Sequence, residues 1–338
     1  MDEIRKVQVT GGSTFIISLP KKWVKSVGLQ PGSAVLMSTL RDGSLIVRPY
    51  REESVEEVRK AELFVSRNVS FTKLVREFVS HYLVGYNLIE VRFEKGLSSY
   101  KENLKRFIRE KLIGVELLEE AAQYLLIQCL VKYDELPLNK ALERMSTITQ
   151  FMVEDAVKAF IERDLELADE IVKRDDEVDR FYLFAVRQLK HVVRDITTLS
   201  RIGLKTPRDC LGYRLIIKSV ERVADHAARI ASVTKELKKE IHPEIVEGIK
   251  KLANLALTSF REAIDSLLAL DSDTAHRVID DAKCAIELEE EITATLMERE
   301  DALSVMITKL VLDSLTRIAE YSTDIAEITI NLAVGENW

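Results

Sequence analysis

The stretch SVERVADHAARIAS at residues 219–232 decides how the C-terminal part of this chain folds. Alanine and branched aliphatic residues recur in it every three or four positions, which is the period of an amphipathic helix with a narrow packing side. SLTRIAEYSTDIAE at residues 314–327 repeats the pattern 95 positions later. At an offset of 107, AFIERDLELADEIV (159–172) aligns with SLLALDSDTAHRVI (266–279). The sequence therefore predicts an internal duplication of helical units.

Six apolar-periodic stretches surround these segments and predict two three-helix units within residues 138–338. They span residues 140–163, 165–199, 208–238, 241–270, 272–297 and 300–333. Pro137 and Asn139, in the preceding loop, suit the start of the first helix. The two offsets differ because the first copy has a longer connection, which we place at LSRIGLKTPRD, residues 199–209.

The composition predicts a mainly α-helical, cytoplasmic protein. Glycine (12) and proline (6) are scarce, and 46% of the residues are hydrophobic. The longest apolar runs, such as YLLIQCLV at residues 124–131, are far shorter than the roughly 20 residues of a membrane span, so no membrane insertion is expected. The N-terminus lacks the features of a signal peptide. Cys129, Cys210 and Cys284 are scattered and are expected to be reduced, buried thiols.

Residues 1–50 predict a small β-rich domain. KVQVT, TFIISLP, SAVLMSTL and SLIVRPY read as four short strands, and one short helix lies between Pro20 and Gly28. So few residues bury little apolar surface alone, which predicts a homodimer. The segment has a net charge of +4, whereas the whole chain has −7. It could therefore face a polyanion, and the candidate DNA-binding residues are Arg5, Lys6, Lys21, Lys22 and Lys25.

Residues 55–135 predict a small α/β domain. SVEEVRKA, FTKLVREFVSHYLVG and SYKENLKRFIREKL read as helices, NLIEVRFE as a strand, and GVELLEEAAQYLLIQCLV as two strands joined by a turn. The segment contains no nucleotide-binding loop, no metal-ligand spacing and no nucleophile constellation. Its sequence does not indicate a role.

Two acidic pairs mark the first helical copy. Glu221 and Asp225 lie four residues apart on one helical face, as do Asp175 and Asp179. The second pair falls in a stripe with Ala168, Val172, Val178, Tyr182 and Val186. Antiparallel packing of the two helices would gather four carboxylates, whose repulsion calls for a cation. Alternatively, they are solvated and paired with arginines, namely Arg174, Arg180, Arg222 or Arg229. An all-oxygen ligand set favours Mg, Mn, Ca or Fe.

Residues 138–333 resemble the PhoU family of duplicated three-helix-bundle proteins tied to phosphate signalling. The resemblance lies in RDDEVDRF, which supplies Asp175 and Asp179, and in YRLIIKSVERVADHAARIA, which supplies Glu221 and Asp225. It implies a bound metal cluster at these four residues, often of iron or zinc, so that Fe, Zn, Mn and Mg are the candidate ions.

The second copy departs from this acidic motif. The counterparts of the four carboxylates are Ala282, Ile286, Thr316 and Glu320. A shifted pair, Glu320 and Asp324, is the candidate for a second metal site, with Asp280 and Asp281 nearby. His226 follows Asp225 but points about 100° away on a helix, which predicts a surface or inter-helix histidine.

Residues 4–50 resemble the SpoVT/AbrB-like family, which includes MazE-type antitoxins. The resemblance lies in GGSTFIISLPKKWVKSVGLQPGSAVLM, with strand, Leu-Pro, short helix, Gly-Leu, Pro-Gly and strand in the family's order. It implies an interdigitated homodimer of swapped hairpins that often binds DNA through basic residues. Ser18 stands where related modules commonly carry an arginine.

Together these features predict a cytoplasmic, DNA-binding transcriptional regulator of phosphate uptake with a metal-binding bundle, and not an enzyme. The alternative is an adaptor that dimerises through residues 1–50 and contacts a phosphate transporter or a signalling protein. Ser18 and the modest charge of +4 favour the adaptor. A metal-dependent hydrolase is a third hypothesis, but the sequence supplies neither a nucleophile nor a substrate pocket for it.

Overall fold

A computed structural model describes residues 3–39, 43–50, 58–130 and 135–334 of the chain. The described residues form two compact units, the first ending at Val58 and the second beginning at Arg59. No helix within these ranges is long and apolar enough to cross a membrane.

The first unit consists of two antiparallel hairpins and one short helix, as the sequence predicts. β1 (Gln8–Thr10) pairs with β2 (Thr14–Ile16), and β3 (Val35–Thr39) pairs with β4 (Leu45–Pro49). Helix α1 (Lys21–Ser26) lies between the hairpins. None of the described residues between positions 3 and 50 is buried. Large apolar side chains are open to solvent, such as Ile4, which is 100% exposed, and Phe15, which is 74% exposed.

The second unit begins with a four-stranded sheet and two helices. Its elements are β5 (Lys60–Val65), α2 (Phe71–Val84), β6 (Leu88–Phe93), α3 (Ser98–Lys111), β7 (Val115–Ala121) and β8 (Tyr124–Cys129). The strand order is β5-β6-β8-β7, with β5 parallel to β6 and the other pairs antiparallel. This confirms the predicted α/β domain.

One predicted helix of this domain is wrong. Residues 54–57 of SVEEVRKA lie outside the described residues, and Lys60 and Ala61 begin β5. Ala61, Leu63 and Val65 alternate with exposed side chains. This period of two places one face of a strand in the core.

Six long helices follow and confirm the predicted bundle. They are α4 (Leu138–Glu162), α5 (Leu165–Arg194), α6 (Asp209–Thr234), α7 (Pro243–Ala269), α8 (Ser272–Arg299) and α9 (Ala302–Ala333). Helix α5 ends earlier than predicted, because the Asp195 carboxylate accepts from the Thr197 N–H and caps a 3-10 helix, Ile196–Ile202. As predicted, the first copy has the longer connection: only Glu300 and Asp301 separate α8 from α9.

The duplication extends to the helix caps. Arg163 (φ 57°) and Leu270 (φ 53°) are the two non-glycine residues with positive φ among the described positions. They are 107 residues apart and end α4 and α7. The residues that follow them, Asp164 and Asp271, each accept hydrogen bonds from two backbone N–H groups of the next helix. We call α4–α6 the first copy and α7–α9 the second copy.

Residues at equivalent positions of the two copies contact each other where the copies pack together. The Arg261 guanidinium of α7 donates to the Glu154 carboxylate of α4, and these residues correspond at the offset of 107. The rings of His226 in α6 and Tyr321 in α9, which correspond at the offset of 95, lie 5.7 Å apart. Contacts between equivalent positions are the signature of an approximate two-fold axis.

Several smaller predictions can now be compared with the structure. Met145 and Met152 are buried in the core of the bundle. Cys129 and Cys210 are buried thiols, as predicted, whereas the prediction for Cys284 is wrong. Cys284 is exposed because it lies on the side of α8 away from the core.

Candidate metal centre

The four predicted carboxylates lie within electrostatic range of one another where α5 packs against α6. Asp175 is influenced by the charges of Asp179, Glu221 and Asp225, so both acidic pairs face the same region. We call these four residues the acidic cluster. The prediction that these four carboxylates form a metal site stays a prediction, although both pairs influence the same carboxyl, that of Asp175. One member of the predicted stripe is misplaced, because Val172 is exposed while Ile171 is buried.

Asp175 is the most perturbed member of the acidic cluster. Burial raises the pKa of its carboxyl to about 7, and the charges of Asp179, Asp225 and Glu221 add to the effect. Its Oδ1 is buried without a hydrogen-bond partner. A buried carboxylate oxygen without a donor is energetically costly unless a proton or a cation compensates its charge.

The neighbouring carboxyls are perturbed in the same direction. Desolvation, and then the charge of Glu221, raises the pKa of Asp179. Asp225 is exposed as a whole residue, yet partial burial of its carboxyl on the packed helix surface and the charge of Glu221 raise its pKa to about 6. The cluster therefore carries more negative charge than its surroundings compensate.

Two lysines supply most of the positive charge near the cluster. Lys218 forms an ion pair with Glu221, whose side chain is largely buried. Lys111, at the end of α3, forms an ion pair with Asp176 and opposes the pKa rise of Asp175 and Asp179. Sequence reasoning missed both residues. Lys218 could have been found by its i,i+3 spacing from Glu221, but Lys111 comes from another domain.

Two of the four arginines proposed as counter-ions are engaged elsewhere. Arg174 forms ion pairs with Asp155 and Glu170. Arg222 lies over the ring of Tyr321, 5.5 Å from its centroid, and opposes the pKa rise of Asp225 less than Lys218 does. Arg174 and Arg222 therefore form no ion pair with the acidic cluster, and the solvated face stays the alternative to a metal site.

The donor set suits a hard or borderline cation, because it consists of carboxylate oxygens and includes the unpartnered Oδ1 of Asp175. Among the described residues, however, no three His, Cys, Asp or Glu side chains are grouped closely enough to hold a metal ion. Asp175, Asp179, Glu221 and Asp225 would have to change rotamers to reach a common ion.

The second copy has no comparable acidic cluster at the equivalent positions. Ala282 is buried and Ile286 is exposed, where the first copy has Asp175 and Asp179. Glu320 forms an ion pair with Arg317 at 2.6 Å. Desolvation, and then the charge of Glu327, raises the pKa of Asp324. Asp280 pairs with Lys283 at 3.0 Å, while Asp281 is exposed.

His226 lies between helices α6 and α9, as predicted. Burial, with the charges of Arg229 and Arg317, lowers the pKa of its imidazole to about 4. The ring packs against Tyr321 and its Nδ1 has no hydrogen-bond partner. The neutral ring therefore belongs to the contact between the two copies.

The predicted DNA-binding residues lie on the surface of the first unit. Lys21, Lys22 and Lys25 are exposed on α1 and form no ion pair with a described residue. Lys6 is exposed as well, and Arg5 forms an ion pair with Glu3. Helix α1 thus presents three uncompensated cations to solvent.

The PhoU domain family model matches residues 142–234 and 249–329, one match for each copy and together more than half of the chain. The chain belongs to the PhoU family. A second family model, for the bacterial antitoxin MazE, matches residues 8–54 of this PhoU-family chain. The two matches confirm both resemblances and the duplication.

Relatives and solved structures agree with this assignment. A phosphate-specific transport system accessory protein PhoU homolog of Clostridium acetobutylicum is 25% identical over 205 residues, covering 59% of this chain and 92% of that protein. A homolog of Thermotoga maritima is 36% identical over 88 residues, covering 26% and 35%. The crystal structure of PhoU from Pseudomonas aeruginosa superposes with a TM-score of 0.52 at 22% identity, covering 59% and 96%. At that identity the superposition shows the fold.

Proposed function

We propose that this PhoU-family chain is a cytoplasmic, non-enzymatic regulator of phosphate uptake whose first copy binds metal ions. Its relatives are named as accessory proteins of the phosphate-specific transport system, which supports the first part. The observation that supports metal binding is the acidic cluster, with a buried Asp175 oxygen that has no partner. Iron, zinc, manganese and magnesium are the candidate ions.

Metal binding is tested with the full chain. Elemental analysis of the purified protein and a thermal scan with and without chelator should show bound metal and a melting temperature that rises with metal, because an ion that binds only the folded state stabilises it. Asp175→Asn with Asp225→Asn should abolish both effects. The matched change in the second copy, Glu320→Gln with Asp324→Asn, should leave them unchanged. A metal-free wild type that is indifferent to added Mn, Fe, Zn and Mg would refute this part of the proposal.

We also propose that the chain forms a homodimer through the first unit. None of its described residues between positions 3 and 50 is buried, so a second chain has to cover side chains such as Phe15 and Ile4. Sedimentation of the full chain should show a dimer, and Phe15→Glu should produce monomers. A wild type that remains monomeric at micromolar concentration would contradict the dimer.

The proposal includes DNA binding by the first unit. The alternative is an adaptor that does not bind DNA. The exposed lysines of α1 support DNA binding, because cations that neutralise phosphates release counter-ions. Binding should weaken steeply with salt, and Lys21→Glu with Lys22→Glu should reduce it for all DNA sequences alike. If the wild type binds no DNA at low salt, the adaptor that contacts a phosphate transporter or signalling protein becomes the better explanation.

A further inference from the structure

The outer face of α5, in the first copy, is covered by the α/β domain. Arg187 of α5 is only 2% exposed, and its guanidinium donates to the carbonyl oxygens of Tyr82, in the last turn of α2, and of Tyr86, just after the helix. Lys111, the last residue of α3, pairs with Asp176. Leu183 packs against the apolar core of the α/β domain. This face of the repeat therefore packs against helices of the α/β domain, and one of them, α3, places Lys111 beside it.

In the second copy, no described element of the second unit covers the equivalent face of α8. The offset of 107 converts Asp176, Leu183 and Arg187 into Lys283, Glu290 and Ala294. All three are exposed, whereas their first-copy counterparts are buried or half-buried. The same fold thus presents one covered and one uncovered copy of the same helix face.

The uncovered face combines apolar and acidic side chains. Spacings of three and four residues place six side chains in one stripe, which we call the outer face of α8: Lys283, Ile286, Glu287, Glu290, Ala294 and Met297. Ile286 is 43% and Met297 68% exposed. Glu287 and Glu290, and Glu291 beside them, are exposed and form no ion pair with a described residue.

We propose that the outer face of α8 binds a basic helical segment of a partner protein. The charge of the face selects a cationic partner and repels nucleic acid and anionic membranes. The apolar side chains supply buried area for an amphipathic helix. Ala294 stands where the first copy has the large Arg187, which leaves room for a long side chain of the partner.

The test uses full-length protein labelled at Cys284. This residue is the exposed cysteine of the described part of the chain, and it lies beside the outer face of α8. An environment-sensitive fluorophore at Cys284 is titrated with a synthetic amphipathic peptide that has leucines on one helical face and lysines on both flanks. The expected result is saturable binding that weakens as salt rises. A peptide with glutamates in place of the lysines should not bind.

Charge-neutralising variants locate the binding surface. Glu287→Gln with Glu290→Gln should weaken binding of the lysine peptide by about tenfold, which corresponds to about 1.4 kcal/mol. Glu236→Gln with Glu240→Gln removes the same charge from exposed positions outside α8 and should change the affinity little. Equal binding of both peptides, or equal loss in both double variants, would overturn the proposal. A concentration-dependent signal without peptide would overturn it too, by assigning the face to a second copy of the chain.

Discussion

The first and second copies of the repeat share a backbone but differ in the chemistry of their helix surfaces. Both end their first helix at a left-handed residue, Arg163 or Leu270, and both cap the next helix with aspartate. Yet Tyr182 and Arg214 of the first copy, joined by a hydrogen bond of 2.9 Å, are replaced by the ion pair of Glu289 and Lys309 in the second. The comparison shows that caps and core preserve this fold while the surfaces of its helices diverge.

The largest expected difference between the copies is at the position of Arg187. Arg187→Met should lower the free energy of unfolding by about 3 kcal/mol, because the Tyr86 and Tyr82 carbonyls lose a charged donor in a buried site. Ala294→Arg, at the equivalent exposed position, should change it by less than about 0.5 kcal/mol. Urea unfolding followed by circular dichroism measures both. Similar values for the two variants would mean that the α/β domain is not held in place by Arg187.

The pair of Glu289 and Lys309 provides the next comparison. Lys309→Met leaves the nearly buried Glu289 carboxylate without its cation and should cost about 2 kcal/mol at pH 7. Arg214→Met removes a donor from the neutral hydroxyl of Tyr182 and should cost about 0.5–1 kcal/mol. Adding Glu289→Gln to Lys309→Met should recover most of the loss. Without that recovery, the cost would come from packing of the lysine stem and not from the unpaired charge.

The smallest effect is a pH dependence confined to the acidic cluster. The pKa of Asp175 is about 7 in the folded chain, against an ordinary value of 3.8. Between pH 4 and 7 the folded state therefore binds more protons at this site than the unfolded state, so stability falls as pH rises through that window. Metal-free wild type should lose about 1 kcal/mol more than Asp175→Asn between pH 5 and pH 8, after allowance for solvent screening.

The control for this pH dependence is Asp281→Asn in the exposed part of α8, which should follow the wild type. His226, whose pKa is lowered to about 4, contributes with the opposite sign. Because it is present in all three proteins, its contribution cancels when they are compared. Parallel stability curves for wild type and Asp175→Asn would show that the cluster is solvated.

The helical bundle could be predicted almost completely from the sequence. Its apolar period of three to four residues is a local property, and Asp164 and Asp271 mark helix starts directly. The prediction failed where a local signal competed with tertiary packing. The residues around Ala61 have helical propensity, yet they form a strand because the sheet buries every second side chain.

The four members of the acidic cluster could also be predicted, because each pair lies one helical turn apart. The surroundings of the cluster could not. Lys111 reaches it from α3, more than 60 residues away in sequence, and no local pattern reports a contact between domains. The uncovered face of α8 could not be predicted from the sequence either, because it is recognised only by comparison with the covered face of α5.

The contacts between the copies have a consequence for how such a molecule can specialise. In a symmetric pair of identical chains, a residue on the two-fold axis faces itself, so a glutamate there would meet a glutamate. Here Glu154 faces Arg261 and His226 faces Tyr321, although the members of each pair occupy the same place in the repeat. Because both halves belong to one polypeptide, the two equivalent positions at the axis can hold different residues. The halves then join in a single orientation, and each can evolve its own surface without imposing it on the other.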